Sequence, residues 1–243
     1  MENLYKNILC SLYLVTALFS GNVYSSELKF VTLEVAPWAY REEGSDNYQG
    51  IFPDLVKEIE KRTGHKIKIT LAPYVRINRE LEAARQDCTM LISDDEREKI
   101  TIRGALIFNH PMGVVGRKSL SINSYEDLSG IKISLLRGSV ISGRFDADEN
   151  LKKDYDTDYK ISLEKIKHGR LDAIAGAIPT IQYLANKSGY GDLLGKPFEL
   201  AQEPIYLHCS KGSENVKYID DINDAIEEIK NDSTLDFILN NNA

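Results

Sequence analysis

Cysteine is scarce in this chain, three in 243 residues, so no disulfide framework can hold it together and stability must come from a buried core. Beyond residue 25 no apolar run approaches the roughly eighteen residues of a membrane-crossing helix, which excludes such a helix there. Positive charge is not in excess either. The formal charge is -7, and a mildly acidic surface disfavours nucleic acid and anionic membranes. The four histidines, His65, His110, His168 and His208, lie scattered without the spacing of metal ligands, so neither a metal nor another cofactor is expected. A Gly-x-Ser-x-Gly elbow, a phosphate loop ending in Gly-Lys-Ser/Thr and a His-Glu-x-x-His helix are all missing. No stretch rich in Pro, Gly or Ser divides the chain, which predicts compact lobes joined by strands rather than by a loose tether.

What is present begins with a leader. Lys6 precedes the apolar run Ile8 to Phe19, and Val23-Tyr24-Ser25 supplies a small-residue pattern for cleavage before Ser26. These are the marks of a secretory signal peptide over residues 1–25; a retained membrane anchor is the alternative. Its loss removes Glu2 and Lys6 together, so the charge passes unchanged to an exported mature domain. Cys10 leaves with the leader. Cys88 and Cys209 remain, as one disulfide or as two buried thiols.

The stretch from Asn47 to Leu71 is the most informative. Phe52, Leu55, Val56 and Ile59 recur at helical spacing, Pro53 suits a first helical position, and Gly64 suits a stop. Strands at Leu28–Leu33 and Lys66–Leu71 flank that helix, and strand, helix and strand of this length make a right-handed crossover onto a parallel sheet. Ligands of such sheets sit outside the carboxyl ends of the strands, which points to Val35-Ala-Pro-Trp-Ala-Tyr40. A helix carrying Ile77, Leu81 and Ala84 and a buried strand over Asp87–Ser93 follow. A second unit opens near Ser119, with Ser124 and Asp127 as a capping box, a strand over Ile131–Leu135 and a helix opened by Gly138-Ser139. Ser162–His168 reads as a helix stopped by Gly169, and Leu171–Ala175 as another buried strand. Arg85-Gln-Asp87 and Arg170-Leu-Asp172 each join a helix to an apolar strand, an internal echo that suggests two lobes of one architecture. After a strand over Pro204–Ser210, Val216, Ile219, Ile222, Ile226 and Ile229 form one helical stripe.

Taken in order, these segments resemble the bacterial extracellular solute-binding proteins of family 3, the periplasmic amino-acid-binding proteins of ABC transporters. The marks are Ala36-Pro37-Trp38, Gly50-Ile-Phe-Pro-Asp54-Leu, Asp87 with Glu96-Arg97, Tyr125 to Ile133, Gly169-Arg-Leu-Asp172-Ala and the terminal segment Ile222 to Leu235. The resemblance implies an α/β, two-lobed type 2 periplasmic-binding fold, each lobe a mostly parallel sheet flanked by helices. Lobe one would hold residues 26–110 and 206–243, lobe two residues 111–205, with crossings near His110–Gly116 and Pro204–Leu207. It also implies that Cys88 and Cys209 are neighbours at the end away from the cleft. The mechanism would be hinge closure of a monomer in the periplasm, its closed form recognised by an ABC permease or by a membrane receptor.

Site residues carry over where motifs match. Arg97 matches an arginine that pairs bidentately with the ligand's α-carboxylate, or it is a surface arginine. Gly138 and Ser139 match helix-start amides that complete the carboxylate site, or Ser139 is only a cap. Trp38 falls on the cleft rim or in the core, Arg76 at the cleft or in solvent, and Ser93 at a strand end that can face the cleft. Two departures stand out: Ala177 replaces the usual ammonium-binding acid, and Asp94 replaces the usual Thr before Arg97. An ordinary amino acid is therefore doubtful, and another small polar or anionic solute carries equal weight. The rival reading is an exported enzyme on the same fold, like the cyclohexadienyl dehydratases, for which Glu34 and Asp94 are the only acids expected near the cleft.

Overall fold

The segment around Asn47–Leu71 folds as its periodicity requires. In the computed structural model, which describes residues 27–41, 44 and 47–242, it forms strand, helix and parallel strand. The expected leader lies outside the described residues. Strand β1 (Leu28–Leu33), the short pair β2 (Tyr40–Arg41) and β3 (Tyr48–Gln49), helix α1 (Ile51–Thr63) and strand β4 (Ile67–Ala72) come first. Helix α1 buries Phe52, Leu55, Val56 and Ile59 on one face, each contributing about 1.5–3 kcal/mol. Gly64 ends it in the left-handed region at φ 73°. Its start differs from expectation: Gly50 is the cap, so Pro53 is the third helical residue. The reason is a backbone clasp, in which the N–H groups of Ile51 and Phe52 donate to the carbonyls of Pro37 and Trp38 at 3.0 and 2.8 Å. A Cβ on Gly50 would lie 2.5 Å from the Pro37 carbonyl oxygen, so only glycine permits this approach.

The chain continues through helix α2 (Tyr74–Glu82), strand β5 (Cys88–Ile92), helix α3 (Asp95–Ile100) and strand β6 (Thr101–Arg117). Next come β7 (Lys132–Leu136), α4 (Gly143–Ala147), β8 (Lys152–Asp156), α5 (Tyr159–Lys167), β9 (Ala173–Ala177) and α6 (Ile178–Lys187). Strand β10 (Leu194–Ser210) and helices α7 (Ile219–Asn231) and α8 (Thr234–Asn241) complete it. Eight of the strands form one sheet in the order β4-β1-β5-β10-β6-β9-β7-β8, and β2 pairs with β3 apart from it. Helices cover both faces, which is why β5 and β9 read as continuous apolar runs. Adjacent Val114 and Val115 of β6 enter separate cores on opposite faces, with Phe145 in one and Leu163 in the other.

Each of the two 17-residue strands serves both ends of this sheet. The end of β10 runs antiparallel beside β5, Ile205 opposite Ile92 through Cys209 opposite Cys88. The end of β6 runs antiparallel beside β9, Met112 opposite Ala177 through Gly116 opposite Ala173. Between those ladders, Asn109–Pro111 pair only with Gln202–Pro204. There the sheet narrows to two strands, so bending breaks no bond to a third. Pro111 and Pro204, which cannot donate, sit where no flanking strand needs a donor.

The internal echo has a structural meaning. Asp87 accepts from the Lys29 N–H at 2.7 Å and Asp172 from the Lys132 N–H at 2.9 Å, each carboxylate anchoring the first strand of its own half. In return the Asp87 and Asp172 N–H groups donate to the Lys29 and Lys132 carbonyls at 2.7 and 3.0 Å. Other expectations need correction. Gly138-Ser139 opens no helix, because the Ser139 amide and hydroxyl both bond the Leu136 carbonyl in a turn. Ser142 is the cap, accepting from the Phe145 N–H. Strand β8 and helix α6 were not foreseen, and Val216 lies in a 3-10 turn ahead of α7.

Candidate ligand cleft

The carboxyl ends of the parallel strands from both halves converge on a cavity of about 210 Å³. From the β1 side come Leu33 and Val35, with Trp38 and Phe52 held by the clasp described above. Leu91 and Ile92 end β5, and Tyr74 starts α2. Across the cleft stand Ala177 at the end of β9, Tyr159 at the start of α5 and Thr180 in α6. The floor is His110 and Ile205, on the two crossing strands. Trp38 bridges the gap directly, its indole N–H donating to Thr180 Oγ1 at 2.9 Å, in a buried bond. Its ring also stacks on Phe108, 5.7 Å between centroids, and meets the His110 ring edge-on at 4.5 Å. Beyond Trp38 a second hollow of about 530 Å³ lies between α6 and α8, with Gln182, Asn186 and Asn240 on its wall. Tyr159 is fixed over Gly176: a Cβ there would lie 1.9 Å from the phenol oxygen, which instead accepts from the Ala177 N–H.

Of the residues carried over by motif, only Trp38 lines this cavity. Arg97 is completely buried behind it, which disposes of a surface role. Its guanidinium is engaged at both terminal nitrogens: Nη1 bonds the Ile92 carbonyl and lies 2.8 Å from Asp94 Oδ2, and Nη2 donates to Tyr74 Oη at 3.4 Å, while the buried Nε has no hydrogen-bond partner among the described residues. Ser93 turns away from the cavity to His208, Oγ to Nε2 3.2 Å. Arg76 is exposed on α2, and Gly138 and Ser139 lie in their turn outside the wall. Glu34 is exposed and Asp94 is paired with Arg97, so neither acid lines the cavity. The residues missed from sequence are Tyr74, His110, Tyr159 and Thr180. His110 carried a weak signal, a polar Asn109-His110 pair breaking an apolar run; Tyr159 and Thr180 had none, since they lie in the first turns of helices whose approach to the cleft is tertiary.

Two buried histidines shape the electrostatics. Burial pushes the His110 imidazole down to about 4. His208 also falls to about 4, first through burial and then through the positive charges of Arg97 and Arg103, with Asp94 opposing. Both rings are therefore neutral at pH 7. Unfolded histidine titrates near 6.5. Between about 6.5 and 4 the unfolded chain thus binds the extra protons, and stability falls as pH falls. Going from pH 7 to 5.5, urea unfolding should lose about 1 kcal/mol per histidine. His110→Phe should roughly halve that pH dependence; an unchanged urea midpoint between the two pH values would contradict the assignment.

Among the described residues no helix is long and apolar enough to cross a membrane, and no cluster of His, Cys, Asp and Glu has a metal-binding arrangement. No curated protein sequence matches the chain significantly. Solved structures do. An ancestral cationic amino acid solute-binding protein matches at 20% identity and TM-score 0.74, over 89% of this chain and 95% of that one. Substrate-binding domain 2 of Lactococcus lactis GlnP, in an open conformation, matches at 20% and 0.71, over 89% and 94%. The BvgS VFT2 domain of Bordetella pertussis, a double mutant, matches at 19% and 0.71, over 89% and 93%. These likenesses give the fold as the two-lobed, type 2 periplasmic-binding architecture. The model of the bacterial extracellular solute-binding proteins, family 3, matches residues 28–242, the whole span that carries sheet, crossing strands and cleft. With nearly the full chain matched, the protein belongs to family 3 of the bacterial extracellular solute-binding proteins.

Proposed function

We propose that this protein is exported, with residues 1–25 removed, and captures a small solute by closing two lobes around it as a monomer. Lobe one is residues 26–110 with 206–243, and lobe two is residues 111–205. The closed form is what a membrane partner, an ABC permease or a receptor, recognises. The observation that supports this reading best is a cavity at the strand ends, walled from both halves of a sheet that narrows to two strands between them. A hinge at that narrowing lets ligand contacts from both sides favour closure, at the cost of few backbone bonds. The chemistry proposed is binding: the acids expected for general acid or base work are exposed or already paired, and His110, the titratable ring in the wall, has no carboxylate among the cavity-lining residues to orient it.

Amino acids, small carboxylates, sugars, polyamines and neutral aromatics form the screen that tests this. A ligand bound only by the native state at a hundred times its Kd adds about 2.7 kcal/mol, a rise in Tm of roughly 5 °C or more. Small-angle scattering with the hit should show a smaller radius of gyration than without it. A screen without a hit, or a hit that leaves the scattering unchanged, would end the hinge-closure reading.

A further inference from the structure

An α-amino acid presents one anion and one cation, and each needs a countercharge when buried. Among the described residues the cleft supplies neither: no Asp, Glu, Lys or Arg side chain lines the cavity, and Ala177 stands on its far wall. Arg97, the nearest guanidinium named by its motif, has no exposed surface and already holds a carboxylate of its own chain, Asp94 Oδ2 at 2.8 Å. Asp94 thus takes up part of the guanidinium that a bidentate ligand carboxylate would need. A second carboxylate brought there would meet a charge already answered and a largely apolar wall, and would be poorly compensated.

What the cavity does offer is flat and apolar. Trp38, Phe52, Tyr74 and Tyr159 present ring surfaces, which favour an offset or edge-on aromatic guest. An apolar cavity of about 150 Å³ in another protein takes up benzene. The 210 Å³ here admits one substituted ring or a small fused pair. One polar group is unsatisfied. His110 is 7% exposed, lines the cavity, and its Nδ1 has no hydrogen-bond partner. A buried polar atom left in that state costs about 1–3 kcal/mol, which a partner from the guest recovers.

We propose that the cleft takes a small uncharged aromatic solute bearing one hydrogen-bonding group for His110, and rejects zwitterions and carboxylates. This rests on the solute-binding reading above and departs from the polar or anionic solute expected in the sequence analysis.

A series sharing one ring tests it: toluene, benzyl alcohol, benzamide, benzoate and phenylalanine, each titrated calorimetrically into the purified protein at pH 7. Benzyl alcohol and benzamide should bind at least tenfold tighter than benzoate and phenylalanine. His110→Leu should weaken both neutral polar members about tenfold and leave toluene unchanged, a split that loss of packing alone cannot produce. Asp94→Thr, which frees Arg97, should strengthen benzoate at least tenfold; should that variant not fold, the wild-type ranking and the His110→Leu split decide. Tighter binding of benzoate or phenylalanine, or no binding by any member, overturns the proposal. If the wider screen then yields a charged solute, only the ligand class has failed; if it yields nothing, solute capture has failed with it.

Discussion

Replacing Cys88 and Cys209 together by alanine should lower the unfolding free energy by about 3–5 kcal/mol. The two cysteines are opposite one another in antiparallel register and their sulfurs are bonded, 121 positions apart in sequence. Cross-linking a loop of that length removes more freedom from the unfolded chain than a short bridge does, since the loop-closure entropy rises with the logarithm of its length. Both residues are also fully buried in the core that packs around β1, β5 and α1, so alanine forfeits sulfur packing as well. Urea unfolding with and without reductant measures the effect, and thiol titration of the unfolded, unreduced protein should find none free beyond Cys10 where the leader is retained. A midpoint indifferent to reductant would refute the expectation.

The second large effect separates two residues that look alike in sequence. Asp87→Ala should cost about 3–5 kcal/mol and Asp172→Ala only about 1–2 kcal/mol. Asp87 is 6% exposed and satisfies three donors, the Lys29 N–H, Ser213 Oγ and Asn215 Nδ2. Removing it strands buried donors, each costing its desolvation. Asp172 accepts from the Lys132 N–H and pairs with Arg117 at 3.2 Å, but its side chain is 28% exposed and the arginine 48%. Water can replace much of what is lost there. Chemical denaturation of both variants gives the comparison; equal losses would show that the shared motif, not burial, sets the magnitude.

The echo around Asp87 and Asp172 shows what a sequence reveals. The repeated Arg-x-Asp pattern at the foot of each apolar strand was readable as a local motif, although the partners that give it meaning, Lys29 and Lys132, lie far away in sequence. The helix with Phe52, Leu55, Val56 and Ile59 was readable because its spacing is itself local. Strand β8, Lys-Lys-Asp-Tyr-Asp, was not, because it is a sheet edge whose polar residues mask any alternation. Helix α6 carries Pro179 at its start and follows an apolar strand without a break, so no boundary signal separates them. For the site, Trp38 was legible through the segment expected outside β1. The state of Arg97 was not: that its guanidinium is buried and answered by Asp94 depends on how α3 packs behind Tyr74. A motif identifies the residue type; tertiary packing decides whether its charge is free.

The exchange of β6 and β10 between the two ends of the sheet also dictates an order of assembly. During synthesis, residues 111–205 contain β7, β8 and β9 with the lengths of β6 and β10 that flank them, so that half of the sheet can close as soon as they emerge. The earlier-made part cannot. Until residue 210 has appeared, β5 has a bare edge and Cys88 has no mate, and the apolar face of α1 waits longer still, for Ile222, Ile226 and Ile229. The half of the sheet translated first is the last to be finished, and its open edge favours self-association for the interval.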